Sequence, residues 1–333
     1  MATSRLGQAL TARQILELVS ADLERMEAEL RVEVAGATDS VARIAQYLQA
    51  NGGKRLRPIL LLVTCRLFRE PTPAAIHLAA VVELIHTATL VHDDIIDDAN
   101  TRRGQPSANV IWGNHTSVLA GDWLYMQAFQ IALRLRDFEV LDLLIGLTQH
   151  MVDGELLQLD RIGKIGISEA DCMELIDRKT ASLFAACMRL GAIAGGAAEP
   201  EQRLLGEFGW NLGIAFQLVD DILDFTSRES VLGKPVGNDL REGKVTLPLI
   251  YALEHASAEE RAAVERVLSE RSYDNVPFKM IRAMLDRHQG IERARRRAHE
   301  FTTRAREILT TYPDSAAQRA LLFATELVEQ RDR

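Results

Sequence analysis

The chain has 333 residues, 47% of them hydrophobic, and a formal net charge of −8. That is enough apolar material for a sizeable core, and the acidic balance excludes a general nucleic-acid binder, which carries a basic face. Small anionic ligands stay open, because local cations or a bound metal can outweigh a distant negative surface.

Three cysteines, Cys65, Cys172 and Cys187, are far apart, odd in number and without zinc spacing. They predict buried thiols in a reducing, cytoplasmic protein rather than a disulfide framework. The first thirty residues lack a signal-like apolar core, and no uncharged apolar stretch approaches a membrane span. Peripheral membrane contact stays open.

In chain order the dominant period is helical. Ile15, Val19, Leu23, Met26 and Leu30 recur every three or four residues, which puts them on one face. Val41, Ile44 and Leu48 do the same, with Asp39 and Ser40 as candidate N-caps and Asn51-Gly52-Gly53 as a stop. No sustained two-residue alternation or hairpin signal interrupts the pattern, and aromatic residues are only 5%, which favours helix over sheet. Breakers at Pro71-Thr72-Pro73, Gly163 to Gly166, Gly195-Gly196 and Gly233 to Asn238 separate the helical segments, and none resembles a flexible linker. The expectation is a single all-α domain over residues 1–333. The Arg293, Arg295, Arg296 and Arg297 cluster reads as a solvated helix face, with anion binding as the alternative.

Two aspartate clusters stand out. Asp93-Asp94-Ile95-Ile96-Asp97-Asp98 follows an apolar run through Val82, Ile85 and Val91. Asp93 and Asp97 are one helical turn apart and project together. Asp220-Asp221-Ile222-Leu223-Asp224 repeats the D-D-x-x-D spacing after the run Leu212 to Val219, with Gln217 and Gly213 on roughly the same face. Such crowded carboxylates repel one another unless something positive binds. Hard oxygen ligands at this spacing suit Mg²⁺, which keeps several waters and binds through one or two carboxylates plus phosphate oxygens. A single copy reads equally well as an acidic helix end in solvent; two copies, each at the end of an apolar helix, are poorly explained that way. Two such helices facing each other would hold a metal cluster and a diphosphate.

Cations accompany the clusters. Gly52-Gly53-Lys54-Arg55-Leu56-Arg57-Pro58 is a glycine turn followed by three cations, suited to a diphosphate or, more plainly, a helix cap with solvated charges. Arg102 and Arg103 follow the first cluster and either hold phosphates or balance its charge. His86 lies on about the same helix face as Asp93. Lys179-Thr180 sits in an apolar helix, where a charge needs a partner. Lys234 and Lys244 flank a glycine-rich loop that reads as a lid or as ordinary surface.

In this order, G-G-K-R-L-R-P at 52–58, H-T-A-T-L-V-H-D-D-I-I-D at 86–97, R-R-G at 102–104, K-T at 179–180, F-Q-L-V-D-D-I-L-D at 216–224 and G-K-P-V-G-N-D-L at 233–240 closely resemble the trans-isoprenyl diphosphate synthase family. The likeness is greatest to the long-chain, octaprenyl-type synthases of quinone biosynthesis, and it runs from about Gly52 to Pro248. The resemblance implies an all-α bundle around a deep central cavity and a homodimer. It implies that Asp93, Asp97, Asp220, Asp221 and Asp224 hold Mg²⁺ and through it an allylic diphosphate, with Asp94 in the same catalytic motif. It implies that Lys54, Arg57, His86 and Arg103 bind isopentenyl diphosphate, and that Arg102, Lys179, Thr180, Gln217, Lys234 and Lys244 face the allylic diphosphate.

In the family the residues just before the first cluster line the start of the product tunnel. Here Ala88 and Thr89 are small, so a long product is expected; a neighbouring helix blocking the tunnel would instead give geranylgeranyl diphosphate. A class I terpene cyclase is the rival enzyme. The acceptor-like segment Gly52 to Arg57, Arg103 and the second complete D-D-x-x-D weigh against it. Both complete clusters also weigh against a non-catalytic partner subunit.

Overall fold

The structure, a computed structural model, describes residues 10–50, 53–102, 104–227 and 236–330. Asn51, Gly52, Arg103, Lys234 and the first half of the Gly233 to Asn238 breaker lie outside the described residues, as does the side chain of Gln49. The described chain is all-α apart from a two-residue antiparallel hairpin, β1 (Thr101–Arg102) with β2 (Gln105–Pro106). That hairpin closes around Gly104, whose φ of 75° needs no Cβ to be accommodated.

The chain forms two compact units, residues 1–146, 184–207 and 308–323 in the first, and residues 147–183, 208–307 and 324–333 in the second. In the first, α1 (Ala12–Ala35), α2 (Asp39–Ala50) and α3 (Leu56–Cys65) precede the long α4 (Pro73–Ile96). Thr11 caps α1 through a reciprocal box with Gln14. The expected face of α1 is buried at Ile15, Val19, Met26 and Leu30, but Leu23 is only half-buried and Asp22 takes the inner place. Asp22 is compensated there by Arg66, whose guanidinium approaches to 2.6 Å. α2 starts at Asp39, so Asp39 and Ser40 are its first helical residues rather than its caps; the Ala42 N–H donates to the Thr38 carbonyl.

Pro73 opens α4 at a position where no backbone N–H is needed. This helix is long and apolar enough to cross a membrane by length and composition, yet 67% of its most apolar window is buried inside the protein. It is a core helix, packed on α3 and on α6 (Asn114–Arg134), which follows the short α5 (Ala108–Trp112). α7 (Phe138–Arg161) follows α6.

α8 (Glu169–Ile176), capped by Ser168 and Asp171, runs into a π-helical turn, Asp177–Ala181, both in the second unit, and then α9 (Ser182–Gly195), which passes into the first at Phe184. α10 (Glu199–Thr226) carries the second aspartate motif in its last turns. Then come α11 (Asn238–Arg241), α12 (Leu247–Leu253), α13 (Ala258–Glu270), α14 (Phe278–Arg287), α15 (Gly290–Leu309) and α16 (Ala316–Gln330). The arginines of α15 are largely paired with acids, Arg293 with Glu254, Arg295 with Glu292 and Arg297 with Glu169; these three are half-buried, and of the cluster only Arg296 is exposed. All three thiols are buried, and burial pushes Cys65 up to about 11 and Cys187 up to about 12.

Candidate active site

The first motif occupies the C-terminal turn of α4. That end of a helix carries the negative pole of the macrodipole, so carboxylates there are disfavoured unless a cation offsets them. The helix stops by a Schellman arrangement: the Asp98 N–H donates to the Ile95 carbonyl, the Ala99 N–H to the Asp94 carbonyl, and Asp98 takes the left-handed conformation at φ 50°. Asp98 is thereby spent on the turn and exposed, while Asp93 and Asp97 stay half-exposed one turn apart. Asp94 points inward, 1% exposed.

The β1–β2 hairpin returns Arg102 onto Asp94, with Nε and Nη2 both 2.7 Å from Asp94 Oδ1. The other oxygen, Oδ2, is buried without a hydrogen-bond partner. Burial pushes the Asp94 carboxyl above its ordinary range, Arg102 pulls it back, and Asp97 adds like-charge repulsion. Arg102 is thus paired with Asp94 in this structure.

One turn and more before Asp93, His86 Nε2 lies 2.9 Å from Arg57 Nη1, and the Arg57 guanidinium sits over the Phe184 ring at 5.3 Å. The cations of the 52–58 segment therefore divide. Arg55, with φ 48° at the start of α3, turns in to the buried Glu83 at 2.5 Å. Lys54 is exposed and Arg57 meets His86. A cavity in this unit is lined by Arg55, Glu83, His86, Asp94 and Arg102, with Tyr47 at its side. Ala88 is fully buried, and the half-buried Thr89 returns its hydroxyl to the His86 carbonyl.

The second motif sits in the last turns of α10. Asp221 is 4% exposed and Asp224 1% exposed. Burial pushes Asp221 well above its ordinary range, and Asp239, Asp220 and Asp224 add repulsion; only the Gln217 amide, donating at 2.9 Å, opposes it. Asp224 accepts the backbone N–H groups of Asn238 and Asp239 on its two oxygens, each at 3.2 Å, so it also caps α11. Thr180 donates to Gln217 Oε1 at 2.9 Å, which joins Thr180, Gln217 and Asp221 in one chain of hydrogen bonds. Lys179 finds the partners its apolar helix demanded, Glu155 at 2.8 Å and Gln158 at 2.9 Å, both on α7. Lys244 pairs with Glu242 at 2.8 Å.

Sequence reasoning missed Glu155, Gln158, Glu83 and Asp239. Glu155 and Gln158 share a face of α7 at i,i+3, a spacing that was there to be noticed; Asp239 stands inside the 233–240 motif but was given no role, and Glu83 has no local signal. Among the described residues no group of three or more His, Cys, Asp or Glu side chains closes on a common point. The donor sets still fit a hard divalent cation: Asp94 Oδ2 is buried without a hydrogen-bond partner, and Asp221 is a buried carboxylate crowded by other acids. Mg²⁺ asks the protein for only one or two carboxylates when phosphate supplies the rest.

A polyprenyl synthetase family model matches residues 38–284. The octaprenyl diphosphate synthase of Escherichia coli is 34% identical, the match covering 97% of this chain and all of that protein. A geranylgeranyl diphosphate synthase of Sulfolobus acidocaldarius is 39% identical over 72% of this chain and 74% of its own. The crystal structure of a polyprenyl synthase from Caulobacter crescentus, in complex with calcium and isoprenyl diphosphate, superposes with a TM-score of 0.91 at 33% identity, covering 98% of this chain and 99% of that one. With a family model over residues 38–284, relatives a third identical over nearly the whole chain and a matching helical frame, the chain belongs to the polyprenyl synthetase family, and is a trans-prenyl diphosphate synthase, a prenyltransferase.

Proposed function

We propose that this enzyme condenses isopentenyl diphosphate with an allylic diphosphate, such as farnesyl or geranylgeranyl diphosphate, to make a long-chain all-trans polyprenyl diphosphate for a quinone side chain. The observation that carries the reading is Asp221, a buried carboxylate with three acids around it and one amide donor against them. Such a group is stable as an anion only with a cation beside it. Asp93, Asp97, Asp220, Asp221 and Asp224 hold Mg²⁺, which neutralises charge on the departing diphosphate when bound.

Arg102, Lys179, Thr180, Gln217, Lys234 and Lys244 orient the allylic diphosphate and share its charge. Asp94 keeps Arg102 in place. Lys54, Arg57, His86 and Arg103 hold isopentenyl diphosphate. The allylic C–O bond breaks with its electron pair leaving on diphosphate, and the acceptor double bond attacks the allylic cation. A proton then passes to the released diphosphate. No side chain becomes covalently attached, which agrees with the lack of a nucleophile–base pair in either motif. A dry apolar chamber protects the cation from water.

Support for the long product is the small pair Ala88 and Thr89; relatives named for octaprenyl and for geranylgeranyl products leave the length to experiment. Support for a homodimer is an unusual surface. Leu119, Met126 and Leu133 on α6, and Phe138, Ile145, Val152 and Leu159 on α7, are exposed apolar residues spaced by sevens, the pattern of a helix awaiting another helix. Support for one domain is that each chain crossing between the two compact units falls inside a helix rather than in a linker.

The test is incubation with Mg²⁺, labelled isopentenyl diphosphate and farnesyl diphosphate, followed by sizing of the dephosphorylated products. A ladder reaching heptaprenyl length or beyond is expected. A stop at geranylgeranyl would reject the length, and hydrocarbon or alcohol release from farnesyl diphosphate alone would reject the elongation reaction.

A further inference from the structure

The π-helical turn Asp177–Ala181 is closed by the Ser182 N–H donating to the Asp177 carbonyl. Its ring is wider than an α-helical one, and such insertions recur where side chains must be re-aimed. Two side chains leave this turn toward two helices. Lys179 reaches α7 at Glu155 and Gln158, and Thr180 reaches α10 at Gln217.

At the head of the same turn Asp177 divides its carboxylate between the same two helices. His150 Nε2 on α7 lies 3.0 Å from Oδ2, and Trp210 Nε1 on α10 donates to Oδ1 at 2.6 Å. Anchors and delivered groups are in register. His150, Gly154 and Gln158 follow one another at four-residue intervals on α7, and Trp210, Gln217 and Asp221 share a face of α10. Gly154 lets α7 come close to the turn, since a Cβ there would stand 2.7 Å from the Arg178 Cβ. Trp210 is itself fixed edge-on against Phe301, with ring centroids 5.7 Å apart.

The Asp177 and His150 side chains are 32% and 36% exposed. A contact so open to solvent contributes little to stability. What it supplies is direction. We infer that Asp177, held between His150 and Trp210, is a positioning residue that sets the register of the π turn and so aims Lys179 and Thr180 at the allylic diphosphate. This rests on the proposed assignment of Lys179 and Thr180 to that diphosphate. None of the three anchoring residues touches the reacting atoms; they act through the turn.

The experiment is steady-state kinetics of the full chain with Mg²⁺, varying farnesyl diphosphate and isopentenyl diphosphate separately, with Tm measured alongside. Asp177→Ala is expected to raise the KM for farnesyl diphosphate about tenfold, the worth of one or two charge-assisted hydrogen bonds. The KM for isopentenyl diphosphate and the Tm should hardly move. Asp177→Asn, which keeps an acceptor for Trp210 and loses the charge toward His150, should fall between. Asp177→Ala and Thr180→Val together should cost less than the sum of the two, since both release the same contact.

Lys179→Ala and Thr180→Val serve as the reference. If they raise the farnesyl diphosphate KM and Asp177→Ala leaves it unchanged, or alters only Tm and kcat, the positioning role is overturned and the site assignment stands. If neither reference variant moves that KM, the assignment fails and takes the inference with it. Should Asp177→Ala fail to fold, Asp177→Asn and Trp210→Phe carry the same comparison.

Discussion

The Arg102 guanidinium meets Asp94 through two nitrogens on a single carboxylate oxygen, each 2.7 Å away, and Asp94 is 1% exposed while Arg102 is 31% exposed. The pair is lopsided: the acid cannot reach water and the base can. Removing the base strands a buried charge, whereas removing both leaves only a void. Arg102→Ala should therefore lower stability by about 2 kcal/mol, less than for a fully buried pair because Arg102 is partly solvated. Asp94→Ala with Arg102→Ala should cost less than the sum of the singles. Arg102→Lys keeps charge but not the fork and should recover stability better than kcat/KM. Denaturant melts and kinetics on the four proteins check this; additive losses would show that the two residues act apart.

Asp221 and Asp94 both have folded-state carboxyls raised above the ordinary aspartate value, by burial first and neighbouring acids second. A raised folded value means the native chain holds its protons to higher pH than the unfolded chain does. Their contribution to stability is then present at low pH and is lost as pH rises through the raised folded values. Carboxyls held low by their partners, such as Asp171 and Glu329, act the other way, so the effect is read as a difference: in metal-free protein, the Tm of wild type relative to Asp221→Asn should fall as pH climbs above 3.8, the ordinary aspartate value. Mg²⁺ with inorganic diphosphate should reverse the slope, because the cation needs the ionised form and its binding releases protons. Asp221→Asn should flatten both effects. A Tm profile indifferent to both the substitution and the metal would contradict the carboxylate role.

How much of this was readable without coordinates depended on range. The helices were legible because burial repeats every 3.6 residues, and the aspartate motifs because their spacing is local. Leu23 and Asp22 exchanged places since the partner that tolerates a buried acid, Arg66, stands far along the chain. In the 52–58 segment nothing local distinguished Arg55 from Arg57; Glu83 and His86, one turn apart on α4, do so by taking one each. Asp224 read only as a metal ligand, and its second duty, capping α11, depends on Asn238 and Asp239, too far along the chain for any short window to contain.

Ala88 is fully buried and Thr89 half-buried on the same helix as the first aspartate motif. If these two small residues leave the product channel open, an aromatic ring there should close it. Ala88→Phe overfills a packed position and should cost about 1–3 kcal/mol. Thr89→Phe has more room and is the cleaner variant. Both should shift the product ladder to shorter chains while retaining incorporation of isopentenyl diphosphate. Chromatography of the dephosphorylated products decides the matter, and an unchanged ladder in the folded Thr89→Phe enzyme would remove the length argument.

The seven-residue spacing of exposed apolar side chains on α6 and α7 makes its own demand. Isolated exposed leucines are ordinary, but a heptad repeat of exposed apolar residues on each of two helices is the pattern that the proposed homodimer would bury. The chain should therefore sediment at twice 37.1 kDa. Placing a charge in the stripe should break the association at its centre and hardly at its edge. Met126→Glu and Val152→Glu should give monomer at micromolar concentration, since each would bury an unpaired carboxylate between two chains. Phe138→Glu, at the first turn of α7, should only weaken the dimer. Because Met126 and Val152 are exposed within one chain, neither substitution should unfold the monomer. Sedimentation and helical circular dichroism together therefore separate loss of association from loss of fold, and a wild-type chain that sediments as a monomer would leave the stripe without its proposed partner.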